Sequence, residues 1–533
     1  MRIKYLKIPS YKNLNIDLEF KSDLITLLVG QNGVGKSNLI EILALIFKDL
    51  YILKDKKQFA IEATKSNSFD YIIEYECRSI DVKIEFMGGN ITIATKRIES
   101  AEYNPISFSE FRRNADILLP NRVMGYYSGE NRRIENMLSS YTSRERRTQR
   151  RSYKKTSENN RMRKIFFSEN KHSQLILFTL AVYRSHPIHG EAVKQIIEKT
   201  LYIDNFLSYD LAFKNPPFAK LKKLIETKTT LEYYEGEILS VGDIDEFNQV
   251  NIFWGIKGKI DSLLRVFLRH NIAGHLYTIY QENNREFFVL RDDDYFDNDL
   301  LENIYTIFPN PVDFFDALEA ASNIGALHSI KMSVSKIDNR ELFEFEALSE
   351  GEQQLISVLG LMSILKDDNE EVLYLIDEPD THINPQWQRN FIQLLLDNIG
   401  DSQHRHMFIS THSPFLVQAY DDNVDILLFR KDDVSEKVII DIADSTIKNW
   451  RIDQVLMSPY FGLDSTRPKS IDDFMDIRLA IIKRGEFTEK DKAELSKLEN
   501  ELGFLPTGET LTELESLAYI NKAANRFREE AGE

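Results

Sequence analysis

The sequence runs to 533 residues, 42% hydrophobic and 28% charged, the proportions of a folded chain too long for one ordinary core. A net charge of −17 excludes a protein that coats nucleic acid over its whole surface, and the lack of any run of 18 apolar residues excludes a membrane-spanning helix. A single cysteine, Cys77, excludes an intramolecular disulfide or cysteine zinc site, and the opening residues lack signal-peptide features, so a cytoplasmic protein is expected.

Residues 1–135 form the first expected domain segment. RIKYLKI, LNIDLEF and LITLLVG read as strands, as do IIEYE, DVKIEF and NITIATKRI, with a turn at Met87-Gly88-Gly89-Asn90. Ser37–Phe47 between them predicts a helix with a buried apolar face. Residues 136–172 are expected to be a basic loop: Ser143 to Lys164 holds ten Lys or Arg against two Glu and almost no large apolar residue, which fits a mobile loop or a solvated helix end. Residues 173–340 are expected to be a mostly helical insertion. Ile256, Ile260, Leu263, Leu264, Phe267 and Leu268 mark a helix stripe, and short strands return at Leu276–Tyr280 and Glu286–Leu290. No heptad repeat persists, so long coiled-coil arms are not expected. The cluster Asp292-Asp293-Asp294 with Asp297 and Asp299 reads as a solvated loop. From 341 to 450 a strand-then-helix pattern runs through Phe343–Leu365, Val372–Ile399 and Met407–Tyr420. Residues 451–533 predict a helical extension, with helices near Asp472–Arg484, Glu489–Leu502 and Glu509–Arg528.

The chemistry is concentrated in a few places. Gly30-Gln31-Asn32-Gly33-Val34-Gly35-Lys36-Ser37 matches G-x-x-x-x-G-K-[ST] between a strand and an amphipathic helix. Its glycines let backbone N–H groups wrap phosphates, and the helix start adds favourable partial charge. Lys36 is suited to reach the β- and γ-phosphates of ATP and Ser37 to hold Mg²⁺. Gly30, Asn32, Gly33, Gly35, Lys36, Ser37 and Asn38 are the candidate nucleotide contacts of this loop. The apolar strand Val372–Ile376 ends in Asp377 and Glu378, the end at which open α/β sheets bind nucleotides. Asp377 suits Mg²⁺ and Glu378 suits polarising the attacking water. Ser349 followed by Glu352 reads by itself as a helix capping box.

Leu348-Ser349-Glu350-Gly351-Glu352-Gln353-Gln354, with Ser349 28 residues before Asp377, resembles the LSGGQ-type signature of ABC ATPases in the variant of their SMC and RecF relatives. That resemblance implies an α/β ABC-type ATPase head, with a mixed β-sheet lobe and a P-loop sheet. It further implies that Ser349, Gly351 and Glu352 serve a γ-phosphate held by another subunit's loop, hence a head-to-tail homodimer or higher even-numbered oligomer. Asp380 falls at the family's D-loop position. His412, 35 residues after Asp377, resembles its switch histidine, which makes Glu378 and His412 the candidate catalytic pair. No glutamine is assignable to the family's Q-loop, although Val123–Asn131 lies where that loop falls.

Asp377–Pro385 with Ser410-Thr411-His412-Ser413-Pro414, and more loosely Ile452–Pro468, resembles the OLD-like and PtuA-like ATPases of bacterial antiphage systems. No nuclease motif is found in the chain, which favours the PtuA-like relatives. These imply control of a separate HNH-type nuclease subunit, as in Septu systems and retrons. Arg144–Lys164 is the candidate contact to nucleic acid, whether DNA or retron RNA/DNA, and the tail after Ser470 either docks a partner or packs on its own domain. The alternative readings are a RecF- or SMC-like repair or recombination ATPase without a toxic partner, and a nucleotide-gated scaffold with negligible turnover.

Overall fold

The computed structural model describes residues 1–21, 24–53, 69–97, 102–128, 133–152, 163–168, 170–214, 258–273, 277–282, 285–292, 296–336, 342–366, 370–399, 404–418, 424–432, 438–442, 450–458, 460–463, 474–477, 480, 488–502 and 519–520. The chain divides into a unit of Met1–Trp450 and a unit of Arg451–Glu533.

The apolar runs of the first unit become strands buried along their whole lengths: β3 (Ile25–Gly30), β15 (Val372–Asp377) and β16 (Arg405–Thr411). Strands of this kind are covered on both faces and belong in a parallel sheet. With β8 (Arg122–Tyr127), β9 (Ile165–Ser168), β17 (Val424–Lys431) and β18 (Val438–Ile442) they build a sheet of order β18-β17-β3-β16-β15-β8-β9. Every neighbouring pair in it is parallel except β17 with β18. The carboxyl ends therefore share one edge, and register pairs Val29 with Thr411 and Asp377 with Ser410.

A second sheet is antiparallel, in the order β2-β1-β4-β5-β6-β7, from β1 (Arg2–Tyr11), β2 (Leu14–Glu19), β4 (Tyr71–Cys77), β5 (Ile80–Met87), β6 (Asn90–Arg97) and β7 (Asn104–Pro105). Here burial alternates, as in β2 and β4, because one face meets the core and the other meets water. Helix α1 (Lys36–Ile52) lies in the core between the two sheets and is apolar almost all round, which such a position requires. Leu39, Ile42, Leu43, Ile46 and Phe47 are fully buried, each stabilising the fold by about 1.5–3 kcal/mol.

Two expectations are refined. Of the segment expected over 136–172 as a basic loop, either mobile or a solvated helix end, residues 136–152 belong to a helix, α2 (Arg133–Ser152), as the helix-end alternative has it. Ile134, Leu138 and Tyr141 recur at helical spacing, are buried and pack the helix against α1, while Arg146 and Arg147 remain exposed. The segment ends in β9 and α3 (Asn170–Tyr183), and residues 153–162 lie outside those described.

The insertion expected to be mostly helical is so among its described residues, and the strands expected near 276–290 join others in a third sheet, antiparallel, in the order β11-β12-β10-β13-β14. Its strands are β10 (Ile203–Lys214), β11 (Tyr277–Glu282), β12 (Arg285–Asp292), β13 (Leu327–Lys336) and β14 (Leu342–Glu344). Register shifts in the β10–β13 pair space the buried residues Ile203, Phe206 and Tyr209 by three, which imitates a helix stripe in the sequence. Helices α4 (Lys259–Ala273) and α5 (Pro311–Ile324) accompany this sheet, with the expected stripe on α4 buried from Ile260 to Leu268; Ile256 lies outside the described residues. Asp297 of the acidic cluster caps the helix Asn298–Ile307, accepting from Asp299 N–H, and residues 293–295 lie outside those described.

Further helices of the first unit include α6 (Glu350–Leu355), α7 (Pro385–Asn398) and α8 (Pro414–Gln418). In the second unit α9 (Glu489–Leu502) is helical where expected, whereas most of the expected helices Asp472–Arg484 and Glu509–Arg528 lies outside the described residues.

Candidate functional site

The chain leaves β3 at Gly30 and enters α1 at Lys36, so the loop between them lies on the carboxyl edge of the parallel sheet. Gly30 has φ 149°, and a Cβ there would stand 2.2 Å from the Phe429 carbonyl oxygen, so only glycine fits. Gly35 has φ 105° and precedes α1 without a side-chain cap, so no side chain occupies the helix start, where backbone N–H groups favour anions. Asn32, Gly33, Gly35, Lys36, Ser37 and Asn38 line a cleft of about 520 Å³. Glu378 and His412 complete one wall of it.

Three adjacent strand ends bring the charged residues together. The Lys36 ammonium donates to the carbonyls of Gly30 at 2.7 Å and Gln31 at 3.0 Å, and lies 3.0 Å from His412 Nε2. His412 Nε2 lies 3.0 Å from Glu378 Oε1. Burial pushes the Lys36 ammonium down to about 8, despite the opposing pull of Glu378, Asp377 and Asp380. The His412 hydrogen bond holds Glu378 below its ordinary value, against the effect of partial burial.

Glu378 has φ 50°, a left-handed conformation that costs a side-chain-bearing residue about 1–3 kcal/mol. Its N–H is fixed by Ser410 through both the carbonyl and Oγ at 3.1 Å, which aims the carboxylate at the cleft. Asp377 is buried, and desolvation raises its carboxyl above the usual range against hydrogen bonds from Ser410 and Ser37. Asp380 is likewise raised, to about 6, by burial that outweighs its bond to Thr411.

Ser37, which lines the cleft, and the buried Asp377 behind it thus meet as a hydroxyl and a carboxylate, the hard oxygen donors that suit Mg²⁺. Among the described residues no cluster of three or more His, Cys, Asp or Glu side chains could hold an ion, so these two fit a metal whose remaining ligands are phosphate oxygens and water.

Ser349, Gly351 and Glu352 are not among the cleft's lining residues. Ser349 caps α6, and the capping box read from the sequence is formed with Glu352 in both directions. Glu352 also pairs with Lys336 at 2.6 Å. Gly351 passes so close to the segment after Asp380 that a Cβ would stand 2.5 Å from the His382 carbonyl. Gln354 Nε2 reaches the Glu378 carbonyl at 3.5 Å. Helix α6 therefore packs against the turn that carries Glu378 and Asp380, while its first residues do not line the cleft of Lys36.

Sequence reading missed Lys12, Asn13 and Arg133, which also line the cleft. Lys12 and Asn13 form the β1–β2 turn and Arg133 opens α2, positions that belong to no motif. Only their spacing from Gly33 and Asn38 in space, which a sequence does not display, could have identified them. The segment expected to hold a Q-loop is β8, parallel to β15, whose continuation Ser128 donates to the Asp377 carbonyl at 3.3 Å; residues 129–132 lie outside those described.

Residues 1–417 match the family described as AAA ATPase domain. The chain is 24% identical over 206 residues to the Septu protein PtuA of Bacillus mycoides (strain KBAB4), covering 35% of this chain and 28% of that protein. It is 29% identical over 184 residues to the Septu protein PtuA of Bacillus thuringiensis, covering 32% of this chain and 45% of that protein. The chain thus spans less than half the length of either curated relative. Among solved structures, the SMC head domain from Thermotoga maritima aligns with 83% of this chain and all of its own, at 13% identity and a TM-score of 0.32. The Smc head domain with an extended coiled coil bound to the C-terminal domain of ScpA, derived from Pyrococcus furiosus, aligns with 84% of this chain and 98% of its own, at 14% identity and a TM-score of 0.31.

Proposed function

This chain belongs to the AAA ATPase domain family, and on that premise we propose that it binds ATP with Mg²⁺ in the cleft around Lys36 and hydrolyses it to ADP and phosphate. The observation that carries the reading is the convergence of Lys36, His412 and Glu378 from three strand ends, each 3.0 Å from the next, beside a glycine loop opening onto a helix start. Lys36 exchanges its carbonyl partners for phosphate oxygens when the triphosphate enters. Glu378, held ionised at neutral pH by His412, takes up the proton of the attacking water, and His412 reports on the γ-phosphate. A bound Mg²⁺, held by Ser37 and Asp377, supplies charge neutralisation at the phosphates.

Ser349, Gly351 and Glu352 lie off this cleft, which supports completion of the site by a second copy of the chain, the two arranged head to tail. Asp380, between the Glu378 turn and the neighbour of Gly351, then couples the two halves. The PtuA relatives support a place in antiphage defence, in which the ATPase restrains a separate HNH-type nuclease. Arg146 and Arg147, exposed on α2, support contact with nucleic acid, because exposed cations bind phosphate backbones in a salt-dependent way.

Replacing Glu378 by Gln tests the core of the reading. Turnover, followed as phosphate release, should fall by about 10²- to 10⁴-fold while ATP stays bound through desalting. Undiminished turnover would remove Glu378 from the reaction.

A further inference from the structure

Glu41 is an acid that α1 carries into the core, 1% exposed among leucines and isoleucines. A buried carboxylate is stable only beside cations, and Glu41 has two: Lys12 from the β1–β2 turn and Arg133 from the first turn of α2. Both cations also line the cleft of Lys36. Arg133 is bound at two points. Its Nε faces Glu41, and its Nη2 donates to Asn38 Oδ1 at 2.5 Å. Asn38 Nδ2 donates to Asn13 Oδ1 at 2.7 Å, and Asn13 Nδ2 donates to the Gly33 carbonyl at 3.3 Å. One continuous hydrogen-bonded chain therefore joins the phosphate loop to the start of α2.

Building on the reading of the cleft as an ATP site, we propose that Arg133 senses the nucleotide by exchanging its buried partner Glu41 for oxygens of the bound triphosphate, and so transmits occupancy to α2 and its basic segment. The guanidinium is 39% exposed while its partner carboxylate is enclosed, so it stands at the boundary between core and cleft. Its planar fork offers five donors, enough to engage phosphate while keeping the Asn38 contact. Lys12 stays with Glu41 during the exchange, which explains why one acid holds two cations: the carboxylate is never left bare in the core. The exchange also has somewhere to go mechanically. Ile134, one residue on, is buried against the rest of the unit, so a displaced Arg133 shifts the whole first turn of α2.

Full-length wild type, Arg133→Gln, Glu41→Gln and the double variant should be titrated with a fluorescent ATP analogue, and hydrogen–deuterium exchange of residues 134–148 followed with and without ATP. Arg133→Gln should bind about 10- to 100-fold more weakly, the loss typical of a charge-assisted bond to phosphate. Glu41→Gln should bind more tightly, because it removes the competitor for Arg133, and should have no such effect once Arg133 is gone. ATP should change exchange in α2 of the wild type but not of Arg133→Gln. Wild-type affinity in Arg133→Gln, or an ATP-induced change in α2 that survives the substitution, overturns the proposal. If Glu41→Gln fails to fold, the affinity and exchange of Arg133→Gln decide alone. Failure of the wild type itself to bind ATP overturns the reading of the cleft and this proposal together, whereas wild-type binding with an indifferent Arg133→Gln overturns this proposal only.

Discussion

At the scale of single residues, the site is a set of wholly or partly buried charges assembled before any ligand arrives. Lys36 shows what this costs. Its ammonium sits at about 8 in the folded chain against 10.5 for a free lysine. Below pH 8 it is charged in both folded and unfolded chains, and its burial destabilises the fold. Between about 8 and 10.5 the folded chain holds fewer protons than the unfolded one, so stability of the ligand-free protein rises with pH across that window. Nucleotide binding must run the other way. A triphosphate favours the ammonium, so above pH 8 each ATP bound takes up a proton at Lys36. Apparent ATP affinity should accordingly fall above pH 8 by up to about tenfold per pH unit. Titrations at pH 7, 8 and 9 in two buffers of different ionisation enthalpy measure both the affinity and the proton uptake. An affinity that stays level through pH 9.5 would separate Lys36 from the phosphates.

At the scale of elements, strand ends and helix starts place the chemistry, and close backbone approach ties them together. Gly351 shows this most directly. An added methyl would sit 2.5 Å from the His382 carbonyl, which is backbone and cannot rotate away. Gly351→Ala should therefore displace the Asp380–His382 segment and destabilise the unit by about 1–3 kcal/mol, the usual penalty for overpacking. Because Gly351 does not line the Lys36 cleft, ATP binding should persist while turnover drops; calorimetric unfolding and steady-state hydrolysis, measured side by side, check both halves. The same elements show what a sequence displays and what it conceals. β3, β15 and β16 were legible because full burial on both faces writes an unbroken apolar run, and the loop after β3 was legible because its glycines are irreplaceable. β10 was not, because its bulges spread Ile203, Phe206 and Tyr209 at a helical interval. The first part of α2 was read as a loop because the charge of Arg144 to Arg151 outweighed the modest stripe of Ile134, Leu138 and Tyr141. Lys12 and Arg133 stayed hidden for a different reason: their partner Glu41 looks, in a sequence, like one more polar position on a helix.

At the scale of the whole molecule, the separation between Lys36's cleft and the signature helix is the feature that a single chain leaves unexplained. Ser349 offers a hydroxyl at the start of α6, held ready by Glu352 and, behind it, by Lys336. A two-fold assembly of two chains would set this helix start over the partner's loop twice, since an isologous interface repeats every contact. Mixing tests this without any structure of the assembly. Lys36→Ala lacks a functional loop, and Ser349→Arg blocks the signature with a bulky cation, so each variant alone should be inactive. A mixed dimer contains one site with both lesions and one with neither. Random pairing makes half of the dimers mixed, each with one intact site, so the mixture should recover about a quarter of wild-type turnover if the two sites act independently under two-fold symmetry. Ser349→Arg also removes a helix cap worth about 1 kcal/mol, so its fold should be verified by thermal unfolding before mixing. Recovery on mixing would mean that the loop of one protomer and the signature of another act on the same triphosphate. A mixture with demonstrated heterodimers and no turnover would instead show that one chain's loop and signature must remain intact together, and the head-to-tail arrangement would have to be abandoned.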